Sequence, residues 1–393
     1  MTLADAVAAH PELKGSLPWL ERMFAVDAAE ADGDARGALQ LIEEMLLGPD
    51  GRPFWRPERV RRLRQLVELG ADVPTWAVRR WAVAQAAQVS PGRPREAMDL
   101  AIRTRGGRST LWGIDDDARS KILDHDWVYR QLVLHDHGGL ADFLRRVASP
   151  DLRGLTGDMT SWSTAPMGGY ELWEEASNHI VWRDLATSLP VTTLNLGSAS
   201  MMAIGEGAIG RIVESDDVRL FESAPLCVPI DVAQAVADRP FAWIDAINEA
   251  CRGPYGEVMT ELIAKLNHFD LLFDLSSRSR RYLIQPPDPD LRSDRVVSGG
   301  NGTEYDVALV LAAVAGELER DENELCSCGR QHDERRPLEP LVAAAMLEPD
   351  TVGRLASMLV DSDAAALRDL ELLLPSPADV LCRRLRRGLA DAA

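Results

Sequence analysis

Several features that would fix the class of protein at once are missing from this sequence. Its 393 residues contain only 5 cysteines, an odd number scattered along the chain, which argues against a disulfide framework. No apolar run reaches the roughly 18 residues that a membrane-spanning helix needs. The first residues, MTLADAVAAHPEL, lack the basic region and the apolar core of a signal peptide. We therefore expect a cytoplasmic protein with no membrane partner.

The motifs of several enzyme classes are also missing. The GxSxG motif of nucleophile-elbow serine hydrolases does not occur, and lysine, which Schiff-base chemistry needs, is scarce. GEGAIG at residues 205–210 matches the GxGxxG dinucleotide pattern, but the β-like RIVESDD follows it where a helix would have to face the pyrophosphate. We interpret GEGAIG as a turn between strands. SGGNG at residues 298–302 lacks the lysine of a P-loop and is typical of a connector.

Charge is plentiful but unevenly distributed. The net charge of -19 argues against a protein that coats nucleic acid with its whole surface. The segment 51–110 nevertheless holds 13 arginines and 5 acidic residues, which leaves 30 basic and 57 acidic residues elsewhere. One hypothesis is a basic nucleic-acid site, whose candidate residues are Arg59, Arg61, Arg62 and Arg64. The other is that arginines on solvated helix faces dock on acidic neighbours within the fold.

The hydrophobic pattern divides the chain into three segments. Residues 1–153 show apolar positions at helical spacing with short breaks, which predicts a helical domain, typical of stacked helical pairs. Residues 154–230 alternate apolar and polar positions between glycines and prolines, which predicts a small antiparallel sheet or barrel. Residues 231–393 return to the helical pattern. The predicted fold class is therefore α+β, mostly α, with a β-module between two helical domains.

Individual elements are also predicted. Pro57 at a first-turn position and Gly70 as a C-terminal stop bound one helix, on which the arginines lie outside and the leucines inside. HIVWRDLATSLPVTTLNL, beginning at His179, predicts a hairpin whose turn lies at 187–190. The stretch 285–303 is predicted to be a loop, followed by an apolar helix.

Three of the 7 histidines fall in DHDWVYRQLVLHDHGG, where imidazole and carboxylate groups alternate. Such groups bind metals well, so the sequence allows a metal-dependent hydrolase here. The alternative is helix capping, in which an aspartate caps the N-terminus, the histidines complement the dipole at the C-terminus, and Gly138 ends the helix. The candidate catalytic residues are Asp124, His125, His135, Asp136 and His137.

Tryptophan is abundant, with 10 residues. Most lie within amphipathic patterns and are predicted to be core or inter-helix packing. The alternative is an aromatic platform that stacks nucleic-acid bases beside the arginine-rich segment. The ten are Trp19, Trp55, Trp76, Trp81, Trp112, Trp127, Trp162, Trp173, Trp182 and Trp243.

The stretch ELCSCGRQHDE, at residues 324–334, holds Cys326 and Cys328 one residue apart, with a glycine directly after them. Two thiolates in such a tight turn can bind one zinc ion, and His332 is a candidate third ligand. Cys382, another distant cysteine or Asp333 would have to supply the fourth. The alternative is a metal-free loop with reduced thiols.

CSCG resembles the beginning of the SEC-C metal-binding motif, although Arg336 and Pro337 stand where the motif's second ligand pair would be. The central segment resembles a β-module of uncharacterised actinobacterial proteins that carry SEC-C-like tails. In that module a DLATG turn joins two strands and a GR(I/L)V strand follows, and here Ser188 replaces the turn glycine. The resemblance implies an architecture with a structural zinc knuckle and implies no reaction.

These observations lead to one expectation and two alternatives for the function. We expect a non-enzymatic adaptor or regulator that binds a protein partner and holds a structural zinc ion. The first alternative is a metal-dependent hydrolase that uses the segment Asp124–His137 and the arginine face Arg59–Arg64, with nucleic acid as one candidate substrate. The second is a nucleic-acid-binding regulator that uses the arginines of segment 51–110.

Overall fold

The fold is seen in a computed structural model, which confirms the predicted class: a small antiparallel sheet lies in the middle of the chain and helices lie on both sides of it. None of the described helices is long and apolar enough to cross a membrane. The residues that the structure describes are 17–48, 51–89, 94–104, 122–123, 126–200, 202–257, 259, 263, 272–274, 295–298, 304–307, 337 and 339–392.

The described residues before the sheet are mainly helical, as predicted. Pro57 begins its helix at a first-turn position, and Gly70, with a φ of 57°, caps its end through a backbone bond to Leu66. A positive φ is easily reached only by glycine, which explains why the helix stops there. The helices are α1 (Leu17–Ala31), α2 (Ala35–Glu43), α3 (Pro57–Leu69), α4 (Thr75–Val89), α5 (Pro94–Thr104), α6 (Trp127–Gln131), α7 (Gly139–Arg146), α8 (Pro150–Thr156) and α9 (Thr160–Ser163).

Helix α6 and the turn after it show the predicted capping. The Asp126 carboxylate accepts a bond from the Tyr129 amide, and a π-helical turn, Leu132–Asp136, extends the helix. Gly138, with a φ of 70°, ends it. The aspartate thus satisfies an amide that the first helical turn leaves without a partner.

Seven strands form the predicted β-module. Five of them make one antiparallel sheet in the order β3-β2-β1-β4-β7, and β5 and β6 form a separate hairpin. The predicted hairpin is β2–β3, and its turn residue Ser188 has a φ of 61°, a left-handed value that glycine reaches more easily than serine does. The strands are β1 (Gly168–Glu175), β2 (His179–Asp184), β3 (Pro190–Leu194), β4 (Gly207–Gly210), β5 (Ile212–Ser215), β6 (Val218–Phe221) and β7 (Leu226–Val228).

The two faces of the sheet are covered differently. On one face, Tyr170 and Trp182 pack edge-to-face against Phe221 of β6, with ring centroids 5.5 and 5.3 Å apart. On the other face, helix α10 (Ile230–Asp238) lies on β1 and β4. It approaches so closely that a Cβ at Gly169 would stand 1.9 Å from the Ala233 carbonyl oxygen. Glycine is therefore required at that position of β1.

The described residues after the sheet are mainly helical, with one correction to the prediction. The predicted loop 285–303 and the following helix are wrong where β8 (Val296–Ser298) pairs with β9 (Glu304–Asp306), because two consecutive valines and a tyrosine favour a strand there. Four more helices complete the described chain. They and the helix after α10 are α11 (Trp243–Arg252), α12 (Glu339–Met346), α13 (Thr351–Met358), α14 (Ala364–Leu373) and α15 (Ala378–Ala392).

One buried hydrophobic cluster contains residues of all three predicted segments, for example Leu63, Ile209 and Leu381. Polar contacts also join the first and last segments. The Gln65 side chain donates to the Leu347 carbonyl, and Arg384 donates to the Leu69 carbonyl at the end of α3. The division at residues 153 and 230 stays a prediction about folding units.

Candidate functional site

Among the described residues of the histidine-rich segment, the side chains do not converge on one metal site. The side chains of three consecutive residues diverge: His135 is buried beside Glu222, Asp136 binds Arg211, and His137 lies 3.8 Å from Glu96. Asp124 and His125 lie outside the described residues. Across the described ranges, no group of three or more His, Cys, Asp or Glu side chains is placed to hold a metal ion.

Arg211, whose side chain is buried, is the centre of a polar network that fixes the position of the Asp136 side chain. Its guanidinium donates to Gln131 Oε1 (2.9 Å), to Asp136 Oδ1 (2.9 Å) and to the Ala165 carbonyl. The other oxygen of Asp136 accepts from the Trp243 indole (2.8 Å). Because Arg211 follows β4, Asp136 ends the π-helical turn and Trp243 begins α11, the network fastens the sheet to two helices.

A second acid, Glu222, lies in the same network. Gln131 Nε2 (2.5 Å) and the Ser223 hydroxyl (2.6 Å) donate to it. Burial alone would raise the pKa of Glu222, but His135, Arg130 and Ser223 around it hold the pKa well below its usual range. Burial lowers the pKa of His135, whose Nε2 lies 3.6 Å from the carboxylate. The pair therefore consists of an ionised glutamate and a neutral histidine at neutral pH, both with buried side chains.

The arginines of helix α3 lie largely inside the protein. Arg59 donates to Glu30 and Asp27, and its guanidinium also lies over the Trp55 ring at 5.5 Å. Arg62 is buried, which lowers its pKa to about 10. The prediction that the arginines of this helix lie outside is thus wrong for Arg59 and Arg62.

The other two arginines face acids as well. Arg61 lies 4.0 Å from Glu348, and Arg64 lies 3.6 Å from Glu43. Only Arg64 keeps a large exposed fraction, 40% of its side chain. The four candidates therefore do not share one exposed face that could follow a phosphate backbone, and three of them, Arg59, Arg61 and Arg64, lie beside acids of the same chain.

The predicted zinc knuckle falls outside the described residues, which include none of Cys326, Cys328 and His332. One proposed fourth ligand is described: Cys382 is buried in α15, with its sulfur 3.7 Å from the sulfur of Met346. Burial raises the pKa of the Cys382 thiol to about 12. The thiol is therefore packed in the C-terminal core in its protonated form, and the knuckle stays a prediction.

An exposed aromatic residue marks a different surface, on the sheet. Leu172 of β1 pairs with Trp182 and Glu174 pairs with Val181, so Trp173 between them is the extra residue of a β-bulge. Bulges re-aim side chains and are frequent beside functional sites. Trp173 keeps 42% of its surface exposed, whereas most of the other described tryptophans are buried.

Strand register shows which residues share that surface with Trp173. Arg183 lies opposite Glu171, pairs with its carboxylate, and stands over the Trp173 ring at 5.6 Å. Val181 lies opposite Glu174 on one side and Thr192 on the other. Alternate residues of a strand lie on the same face of a sheet, and Gly169, two residues before Glu171, contacts α10. These residues therefore lie on the face of the sheet that carries α10, beside that helix. We call Trp173, Glu174, Val181, Arg183 and Thr192 the open sheet face.

The open sheet face was not predicted from the sequence. WEE at 173–175 reads as part of an alternating strand, and only the unequal pairing with β2 reveals the bulge. The one available signal was that two polar residues, Glu174 and Glu175, follow Trp173 and break the alternation.

Comparison with known proteins identifies no relative. No family model matches the chain, and no curated protein and no solved structure matches it either.

Proposed function

We propose that this chain is a non-enzymatic adaptor or regulator that binds a protein partner on its open sheet face. The observation that supports this most is the exposed Trp173, which a bulge presents on a strand and which carries the Arg183 guanidinium on its ring. Tryptophan and arginine are the residue types most enriched among the residues that dominate binding energy at protein interfaces.

The open sheet face is also organised by contacts within the sheet. Its residues lie on hydrogen-bonded strands, and the Glu171–Arg183 pair together with the stacked ring fixes the arginine. Association loses less conformational entropy when the side chains of the interface are already ordered. By contrast, the central arginines of the other polar clusters, Arg211 and Arg59, are buried and bind groups of the same chain.

Two further proposals complete this function. We propose that the protein works in the cytoplasm, and that Cys326, Cys328 and His332 form a structural zinc knuckle. The knuckle is tested by metal analysis of the purified protein and of the double variant Cys326→Ser, Cys328→Ser. We expect zinc in the parent and a loss of zinc in the variant, and a zinc-free parent would refute the knuckle.

The binding surface is tested by quantitative affinity capture from cells that express the tagged protein. Three variants are compared with the parent: Trp173→Ala, Thr192→Arg and Phe241→Ala. The first removes the aromatic side chain, the second places a long charged side chain on the open sheet face, and the third is the control. Phe241 is 96% exposed and lies in the 3-10 turn Pro240–Ala242. Its replacement therefore tests whether any exposed aromatic residue captures proteins non-specifically.

We expect a specific protein that is captured by the parent and by Phe241→Ala but is lost from the two variants of the open sheet face. The purified partner should then bind Trp173→Ala at least about tenfold more weakly than the parent. Equal capture by all four proteins would refute the surface, provided that the variants unfold at the temperature of the parent.

A further inference from the structure

Among the described elements, helix α10 covers only part of one face of the sheet. It packs on β1 and β4, so the part of the same face that β2 and β3 form lies next to it. Two strands about 4.8 Å apart give a width of about 10 Å, which is the diameter of an α-helix and the usual distance between packed helices. The 6 residues of β2 span about 20 Å, the length of a helix of about 13 residues.

The side of α10 that borders this space is known from one contact. Gln234 donates to the Leu185 carbonyl in the turn between β2 and β3, so Gln234 faces that turn. Ile230 and Asp238 lie four residues before and after it and therefore share its side of the helix. Ile230 is exposed over 40% of its surface. The space thus has a sheet floor and a helical wall, each with an apolar side chain.

The charges around this space are predominantly negative. The cation on the floor, Arg183, is paired with Glu171. In the part of the chain that the structure describes, Glu174 is exposed and has no ion-pair partner, and Asp238 on the wall accepts a bond from the neutral Gln234. An occupant that brings its own cations would meet both carboxylates without displacing an existing pair.

We infer that the partner presents an amphipathic α-helix, whose apolar side lies on Trp173 and Val181 and whose lysines or arginines face Glu174 and Asp238. This inference rests on the proposed function and names the class of partner. The helix lies alongside α10 and completes a layer of two helices on one face of the sheet.

Two labelled peptides test the inference by fluorescence anisotropy with the full chain. Both have about 15 residues with leucine at helical spacing; the first carries lysine and the second glutamate at its polar positions. Two charge reversals are compared, Glu174→Lys on the open sheet face and Asp217→Lys in the exposed turn between β5 and β6. They change the net charge equally, which controls for the attraction between a basic peptide and an acidic protein.

We expect the lysine peptide to bind the parent, to lose about tenfold in affinity with Glu174→Lys, and to change by less than about twofold with Asp217→Lys. Trp173→Ala should weaken it as well, and the glutamate peptide should not bind. Equal binding of the two peptides, or equal effects of the two charge reversals, would overturn the inference. If cellular capture still depends on Trp173 but the lysine peptide does not bind, the inferred class of partner, a basic amphipathic helix, is refuted. The proposed function is not refuted by that result.

Discussion

Replacement of Arg211 by methionine tests the buried network that fastens the sheet to the helices. The variant keeps an unbranched side chain of similar bulk but removes every donor. Gln131 Oε1 and the Ala165 carbonyl lose their guanidinium partner, at about 1 kcal/mol for each unsatisfied buried acceptor. Asp136 keeps its hydrogen bond from Trp243 and is 34% exposed, so the loss of its ion pair with Arg211 adds about 1 kcal/mol. The expected loss of unfolding free energy is about 3 kcal/mol.

Urea denaturation, followed by tryptophan fluorescence, measures this loss as a lower midpoint at an unchanged slope. The matched control is Arg219→Met, because Arg219 pairs with Glu214 on the surface of the β5–β6 hairpin and is 52% exposed. Its loss should be below about 0.5 kcal/mol. The double variant Arg211→Met, Asp136→Asn should lose about 1 kcal/mol less unfolding free energy than the sum of the losses of the two single variants. The reasoning is refuted if Arg211→Met costs no more than the control.

Three further perturbations test other parts of the structure. Since burial holds the pKa of His135 in the folded protein below its ordinary 6.5, the unfolded chain binds the proton more readily, so stability should fall as the pH drops below about 6.5. His135→Gln should flatten that part of the stability profile, and an unchanged profile would contradict the assignment. Ser188→Gly should raise the unfolding free energy by about 0.5–1 kcal/mol, because Ser188 has a φ of 61°, whereas Ser188→Ala should not raise it. Gly169→Ala should cost more than about 2 kcal/mol in a urea titration, since its Cβ would collide with the Ala233 carbonyl, and a neutral effect would mean that α10 is not seated there.

Local signals in the sequence predicted much of the fold. Pro57 and Gly70 mark the two ends of α3. Proline fits a helix only in its first turn, and glycine readily adopts the positive φ that ends the helix. The alternation from His179 onward predicted the β2–β3 hairpin, since one face of each strand is buried. These features depend on residues close together in the chain, and periodicity reads such features well.

The positions of charged side chains could not be predicted in the same way. Arg59 reads as a solvent-facing residue until Glu30, which is 29 positions earlier, is seen to accept its hydrogen bond. The spacing of His135 and His137 did not indicate that a π-helical turn forms there or that the two histidines lie beside different acids, Glu222 and Glu96. Such pairings depend on tertiary contacts that one sequence does not display.

The open sheet face could not be predicted from the sequence for a related reason. A bulge depends on the register of two strands, and Trp173 lies where β1 has one residue more than β2. The count of tryptophans correctly indicated core packing for Trp162, Trp182 and Trp243, but it could not single out the exposed one.

Site-specific photo-crosslinking tests the central claim most directly. A benzoylphenylalanine residue replaces Trp173 in one protein and Phe241 in another, and both are irradiated in living cells. The account predicts a crosslink from position 173 to one partner protein, through a segment with helical spacing of apolar residues and with lysines or arginines, and no such product from position 241. The account is contradicted if position 173 crosslinks only within its own chain, or if both positions give the same products.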